Sequence, residues 1–176
     1  MNLKETLVDP IAKATTQVFS TMLGLDVQMT DSLVEKALPK ATDGLVSFIG
    51  LAGVWAGTGS LACSKELGCR ICSAMLMTET SSIDEDVLDA VAEITNMVIG
   101  SVKTDLEALL GPLGLSIPTV VFGRNFSTKS AGNTDWIVVH FRCGDEVLSV
   151  KMCLAPSDKI SHVIPHSLGQ TCVVDV

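Results

Sequence analysis

Four groupings in this sequence carry residue types capable of chemistry. The first lies along a long helical segment. Asp89, Glu93, Asn96, Gly100, Lys103 and Glu107 recur at steps of four and three, so they share one helix face. Glu93 and Asn96 are three apart and therefore neighbours, with Gly100 one turn further on. A mid-helix glycine costs about 1 kcal/mol relative to alanine. Room for another surface to approach is one reason to keep it. A solvated polar face, with Gly100 at a helix–helix contact, is the other reading of the same residues. The second grouping is Cys69-x-x-Cys72, which matches half a zinc site or a thioredoxin-like motif. No second such motif exists, and His162-x-x-x-His166 lies far along the chain beyond a proline, so the spacing of a zinc finger fails. Asp158, His162, His166 and Ser167 supply the types of a Ser–His–Asp site, but in a proline-interrupted tail without a nucleophile elbow. The fourth is His140, a lone histidine on a strand, which reads as structural.

The chain must position whichever of these works. At 176 residues it is one domain, or a compact duplicated one, able to bury a core without disulfides. With 47% hydrophobic and 18% charged residues it is not a disordered tail. The net charge of −8 repels phosphate backbones and anionic lipid, which argues against nucleic acid and membrane surfaces as partners. Residues Gly44 to Ser64 are uncharged and long enough to suggest a membrane span. Gly44, Gly50, Gly53, Gly57 and Gly59, with Ser47, Thr58 and Ser60, instead point to two buried strands around a glycine turn. The N-terminus has acidic residues and no apolar h-region, so no signal peptide is expected and the cytoplasm is the expected compartment. Cys63, Cys69, Cys72, Cys143, Cys153 and Cys172 are then most simply small apolar residues.

Asp9 and Pro10 predict a helix start, and Ile11, Ala14, Val18, Phe19, Met22 and Leu23 one apolar stripe ended by Gly24. Residues 25–41 read as a mixed connection. Strands are expected at 43–52 and 54–63, and Ser64 opens a helix over 65–77. Ser82-x-x-Glu85 reads as a capping box for the longest helix, 83–110, which ends before Gly111-Pro112. Val87, Val91, Ile94, Val98, Val102, Leu106 and Leu109 form its buried stripe. A short strand, Pro118–Gly123, and a polar loop, Arg124 to Thr134, follow. Trp136–Cys143 and Glu146–Leu154 flank Gly144-Asp145, as in a type II′ hairpin. Pairing outward from that turn sets Phe141 opposite Leu148, Val139 opposite Val150 and Ile137 opposite Met152. Arg142, His140, Ser149 and Lys151 fall on the other, half-exposed face.

The stretch Ala92-Glu93-Ile94-Thr95-Asn96-Met97-Val98-Ile99-Gly100 resembles the E-x-x-N-M-x-x-G signature of the CheC/CheX/FliY family of chemotaxis phosphatases. Ala14 to Gly24 resembles the first helix of the CheX branch, as do Leu45–Gly53 leading to a second strand and Ser73-Ala74-Met75. The similarity covers about residues 8–155. What it implies is hydrolysis of an aspartyl phosphate on a CheY-like response regulator. Asn96 would orient the attacking water, and Glu93 would pair with the receiver's active-site lysine. Asp89, Met97, Gly100 and Lys103 would line the docking surface. Mg2+ would belong to the receiver, with no metal or cofactor held by this chain. The resemblance also implies a homodimer, to which the uncharged strands of 44–63 add support if one is left at an edge. A module that binds the phosphorylated receiver without turnover would use the same face; the amide at 96 favours the enzyme.

A shift of 76 residues lays Gln17-x-x-Ser20-x-x-x-Gly24 on Glu93-x-x-Asn96-x-x-x-Gly100, and the strand near Thr42–Gly50 near Pro118–Gly123. The expected architecture is therefore α+β: a single mostly antiparallel sheet, two long packed helices and a CheC-like duplicated layout. Residues 1–155 form the domain and 156–176 a C-terminal extension. Only the second half keeps the acid and amide pair, so Gln17 and Ser20 are expected to be catalytically silent.

Overall fold

The computed structural model describes residues 3–35, 44–124, 126 and 135–157. The expectations for Asp158, His162, His166, Ser167, Cys172 and most of the 124–134 loop lie outside them. α1 (Leu3–Val18) runs into a π-helical turn (Phe19–Leu23) closed by Gly24 at φ 63°. The strands are β1 (Gln28–Glu35), β2 (Gly44–Gly53), β3 (Trp55–Cys63), β4 (Leu113–Leu115), β5 (Thr119–Gly123), β6 (Trp136–Cys143) and β7 (Glu146–Pro156). α2 (Lys65–Leu76) and α3 (Glu85–Leu110) follow β3. All strand pairings are antiparallel, in the order β1-β6-β7-β3-β2-β4, with β5 also on β2. This is the expected α+β fold. No helix among the described residues is long and apolar enough to cross a membrane; the uncharged stretch is the β2–β3 hairpin.

The β6–β7 hairpin has the register set by its alternation, with Phe141 on Leu148, Val139 on Val150 and Ile137 on Met152. Gly144 has φ 64° and Asp145 no positive φ, so the turn is not type I′, which needs both. The apolar face of these strands meets α1, α2 and α3 in one core that includes Leu7, Phe19, Leu61, Ile94 and Ile99. On the other face Trp136, Val138 and Cys153 form a smaller cluster with Leu33. Lys151, expected half exposed there, is buried; burial lowers its pKa and the Glu35 carboxylate raises it in part.

Several expectations are corrected. α1 begins before Asp9, with Pro10 inside it, because Leu7 is fully buried and packing extends the helix past its sequence signal. Met22 leaves the stripe, 52% exposed, where the π turn changes the residue spacing. The cap of α3 is Asp84, whose carboxylate accepts from the Val87 N–H at 3.1 Å. Glu85 is then the first helical residue, too early for a capping box, but placed where the helix dipole favours an acid. Leu109 is 70% exposed and Leu110 is buried in its stead. β1 occupies what read as a connection: it is an edge strand carrying Asp31 and Glu35, and an edge needs no apolar run. β2 and β3 are interior strands, so their lack of charge reflects burial and gives no support to pairing between copies.

The chain is an α-β-β-β unit used twice. α1, β1, β2 and β3 correspond to α3, the β4–β5 edge, β6 and β7, and exchanging the halves reverses the sheet order onto itself. The match differs from the 76-residue shift in both helix and strand. β1, not β2, is the counterpart of β5. Gly24 ends a helix at positive φ, whereas Gly100 lies inside one. An offset of eighty lays the buried Leu7, Ile11, Ala14, Val18 and Phe19 on the buried Val87, Val91, Ile94, Val98 and Ile99. It also lays Thr15 on Thr95. Both are fully buried, and each hydroxyl donates to the carbonyl four residues back at 2.7 Å. The counterparts of Glu93 and Asn96 are then Lys13 and Thr16. Lys13 is a cation and is paired with Asp105 at 3.0 Å. The first helix is expected to be silent in either register. Lys13→Ala with Thr16→Ala, and separately Gln17→Ala with Ser20→Ala, should leave the phosphatase turnover that the resemblance implies within about twofold of wild type, since exposed changes cost little. A large loss in either folded double variant would establish a second working site.

Candidate functional site

α3 crosses the core with Val87, Val91, Ile94, Val98, Val102 and Leu106 inward. That fixes the opposite face outward. Asp89 and Glu93 are exposed there, and Asn96, Gly100, Lys103 and Glu107 are partly exposed. Met97 is half buried and packs against the core, so only part of it is presented. The structure thus brings Asp89, Glu93, Asn96 and Gly100 onto one accessible face. Among the described residues no hydrogen bond or ion pair engages the side chain of Glu93 or Asn96. Thr95, between them, is held in the core through its bond to the Val91 carbonyl.

Lys103 is drawn into an internal arrangement. It pairs with Glu107 at 3.0 Å, and Glu107 also accepts the Leu113 N–H at 2.9 Å, tying β4 to α3. These two donors hold the Glu107 carboxyl below its usual value of 4.5, the backbone N–H foremost. Its stabilising contribution is therefore complete above pH 4.5 and disappears as pH falls through the lower folded value. Glu107→Gln should lower stability at neutral pH and close the gap to wild type on acidification below pH 4.5. A gap in denaturant midpoint that stays constant with pH would contradict the assignment.

A Cβ built at Gly100 would meet only the Leu115 side chain, at an ordinary 3.7 Å. Internal packing therefore does not require glycine, and the helix–helix contact considered from sequence is not its reason. Glu107 was legible on this face, but its bond to Leu113 and the position of Leu115 were not, because β4 is three residues long and carries no pattern.

The cysteine pair is different in character. Cys69 and Cys72 are buried on α2, and burial raises the Cys69 thiol pKa; Cys63 beside them is pushed up to about 12. Reactive thiols need the opposite shift. No group of three or more His, Cys, Asp or Glu among the described residues is placed to hold a metal. His140 is half buried in β6, opposite Ser149, and its backbone carbonyl accepts from Thr30.

The family profile described as "Chemotaxis phosphatase CheX" matches residues 45–142, more than half the chain, and that span includes the whole Glu93–Gly100 face. The chain belongs to the CheX family. The CheY-P phosphatase CheX of Thermotoga maritima is 36% identical over 89 residues, covering 50% of this chain and 57% of that relative. Among solved structures, a CheX from Desulfovibrio desulfuricans superimposes with TM-score 0.77 at 26% identity, covering 85% of this chain and 99% of the other. The CheX of a CheX–CheY–BeF3–Mg2+ complex from Borrelia burgdorferi shares the fold, with TM-score 0.68 at 21% identity and coverages of 84% and 97%.

Proposed function

We propose that this CheX-family chain hydrolyses the aspartyl phosphate of a CheY-like response regulator. An acyl phosphate is already labile, so the reaction needs a water held in line with the phosphorus–carboxylate bond more than it needs a strong base. Asn96 supplies an amide that donates and accepts hydrogen bonds without titrating. In the complex it orients the water; the water oxygen bonds to phosphorus, the phosphorus–oxygen bond to aspartate breaks, and phosphate and a carboxylate result. Glu93, one turn before Asn96 on the same face, pairs with the receiver lysine and fixes the register. Asp89, the exposed part of Met97, Gly100 and Lys103 border the docking surface. Mg2+ is held by the receiver, and the cytoplasm, where such receivers work, is the proposed compartment.

The observation that carries the reading is the exposure of an unengaged Glu93–Asn96 pair on the outer face of a helix whose inner face is buried in the core. The relative named for CheY-P phosphatase activity supports it. Decay of a phosphorylated receiver, followed with and without this protein, tests it directly; an unchanged decay rate rejects it. We also propose a homodimer. Its support is the family resemblance, and β1 and the β4–β5 strand are the two edges of the sheet. Sedimentation at several concentrations should show a dimer mass; a monomer throughout the range would eliminate the dimer.

A further inference from the structure

β4 and β5 form one edge strand along β2, broken between Leu115, opposite Leu51, and Thr119, opposite Phe48. Residues 116–118 there stand against only Ile49 and Gly50, a bulge that contains Pro118. Leu115, Val120 and Phe122 lie opposite Leu51, Ser47 and Leu45, all buried, so they belong to the helix side of the sheet. Yet Phe122 is 46% exposed, and Ile117 in the bulge is 88% exposed.

This apolar edge runs beside α3, in the opposite direction. Leu113 meets Glu107, and Leu115 lies against Gly100. The chain continues past Leu115 toward the N-terminal half of α3, so Ile117 and then Phe122 follow on the side of Gly100 that holds Asn96. On the helix itself Glu85, Asp86, Asp89 and Glu93 precede any basic residue.

We infer that the edge formed by Ile117 and Phe122, adjoining the Glu93–Asn96 face across Gly100, is the second half of the receiver-docking surface. It takes apolar side chains of the receiver while the acidic flank of α3 takes its cations. This rests on the function proposed above. Charge complementarity selects the occupant: a receiver active site that offers a lysine suits the acidic flank. The bulge and Pro118 limit a regular ladder with a second copy of this chain to the five residues of β5. The edge contributes affinity, and Asn96 contributes turnover.

The test is the double change Ile117→Ser and Phe122→Ser in the full chain. It is read by titration with a CheY-like receiver carrying Mg2+ and beryllofluoride as phosphoryl mimic, and by turnover of the phosphorylated receiver. Kd and KM should rise at least tenfold with kcat near wild type, because two exposed apolar side chains lose their buried surface in the complex. Ile117→Leu should restore binding, and Ile117→Ser alone, at the more exposed position, serves if the double variant does not fold. Wild-type Kd in a folded variant overturns the inference. So does a fall in kcat at constant KM, or a change from dimer to monomer, which would assign the edge to a second copy. Asn96→Ala in the same assays separates the two ideas. Full turnover in Asn96→Ala removes the water-positioning role while the edge is still judged by Kd.

Discussion

Asn96→Ala is expected to remove on the order of 100-fold from phosphatase turnover while the protein stays folded, because a mispositioned water loses the in-line geometry on which the reaction depends. The fold should be indifferent. Asn96 lies on the outer face of α3, where alanine is the better helix former. Binding of a beryllofluoride-loaded receiver should persist, since Glu93 is untouched. Single-turnover decay of the phosphorylated receiver, with excess protein, reads the chemical step directly. A decay rate equal to wild type would show that the amide does not hold the water.

Gly100→Leu is expected to do the reverse, leaving chemistry possible but keeping the partner away. Leucine is a good helix former, and a side chain starting at this position has only Leu115 near it, at ordinary contact distance. Melting temperature should therefore stay level or rise. A receiver that must come close to the helix at Gly100 would meet a new side chain of four carbons. Its KM should rise at least tenfold, about 1.4 kcal/mol of lost binding. Gly100→Ala should show the same divergence in smaller measure, more stable and less tightly bound. Unchanged KM in both variants would mean that no surface approaches the helix here.

The fold was legible wherever burial imposes a period. The β6–β7 register followed from alternation alone, and the inward stripe of α3 failed only at Leu109, in the last turn. The glycine-rich β2–β3 hairpin was distinguishable from a membrane span for the same reason. What escaped were elements set by context. β1 is an edge strand with acidic residues, and β4 has only three residues, paired to β2 and tied to α3 by the Glu107 carboxylate. The start of α1 depends on Leu7 reaching the core. The Glu93–Asn96 face was legible as a face, but not as a site: its role came from resemblance, and its exposure from the structure. The repeat is visible in the sequence one helical turn out of register, because on a helix a slip of four nearly preserves the apolar pattern. Buried Thr15 and Thr95, with identical hydrogen bonds, break that degeneracy.

The crossed sheet has a consequence for how the chain acquires its shape. β1 pairs with β6 of the other half, and β5 with β2 of the first. Neither half can complete its own sheet: each supplies the other's outermost strand. During synthesis β1 waits for a partner about a hundred residues downstream, a high contact order that favours slow, single-step folding. Halves expressed separately would each carry an unmated strand and an uncovered apolar helix, which makes them prone to aggregate. Although the architecture is that of a repeat, it can therefore gain or lose its structure only as one cooperative unit, and the helix that carries Asn96 is supported by strands from both halves of the chain.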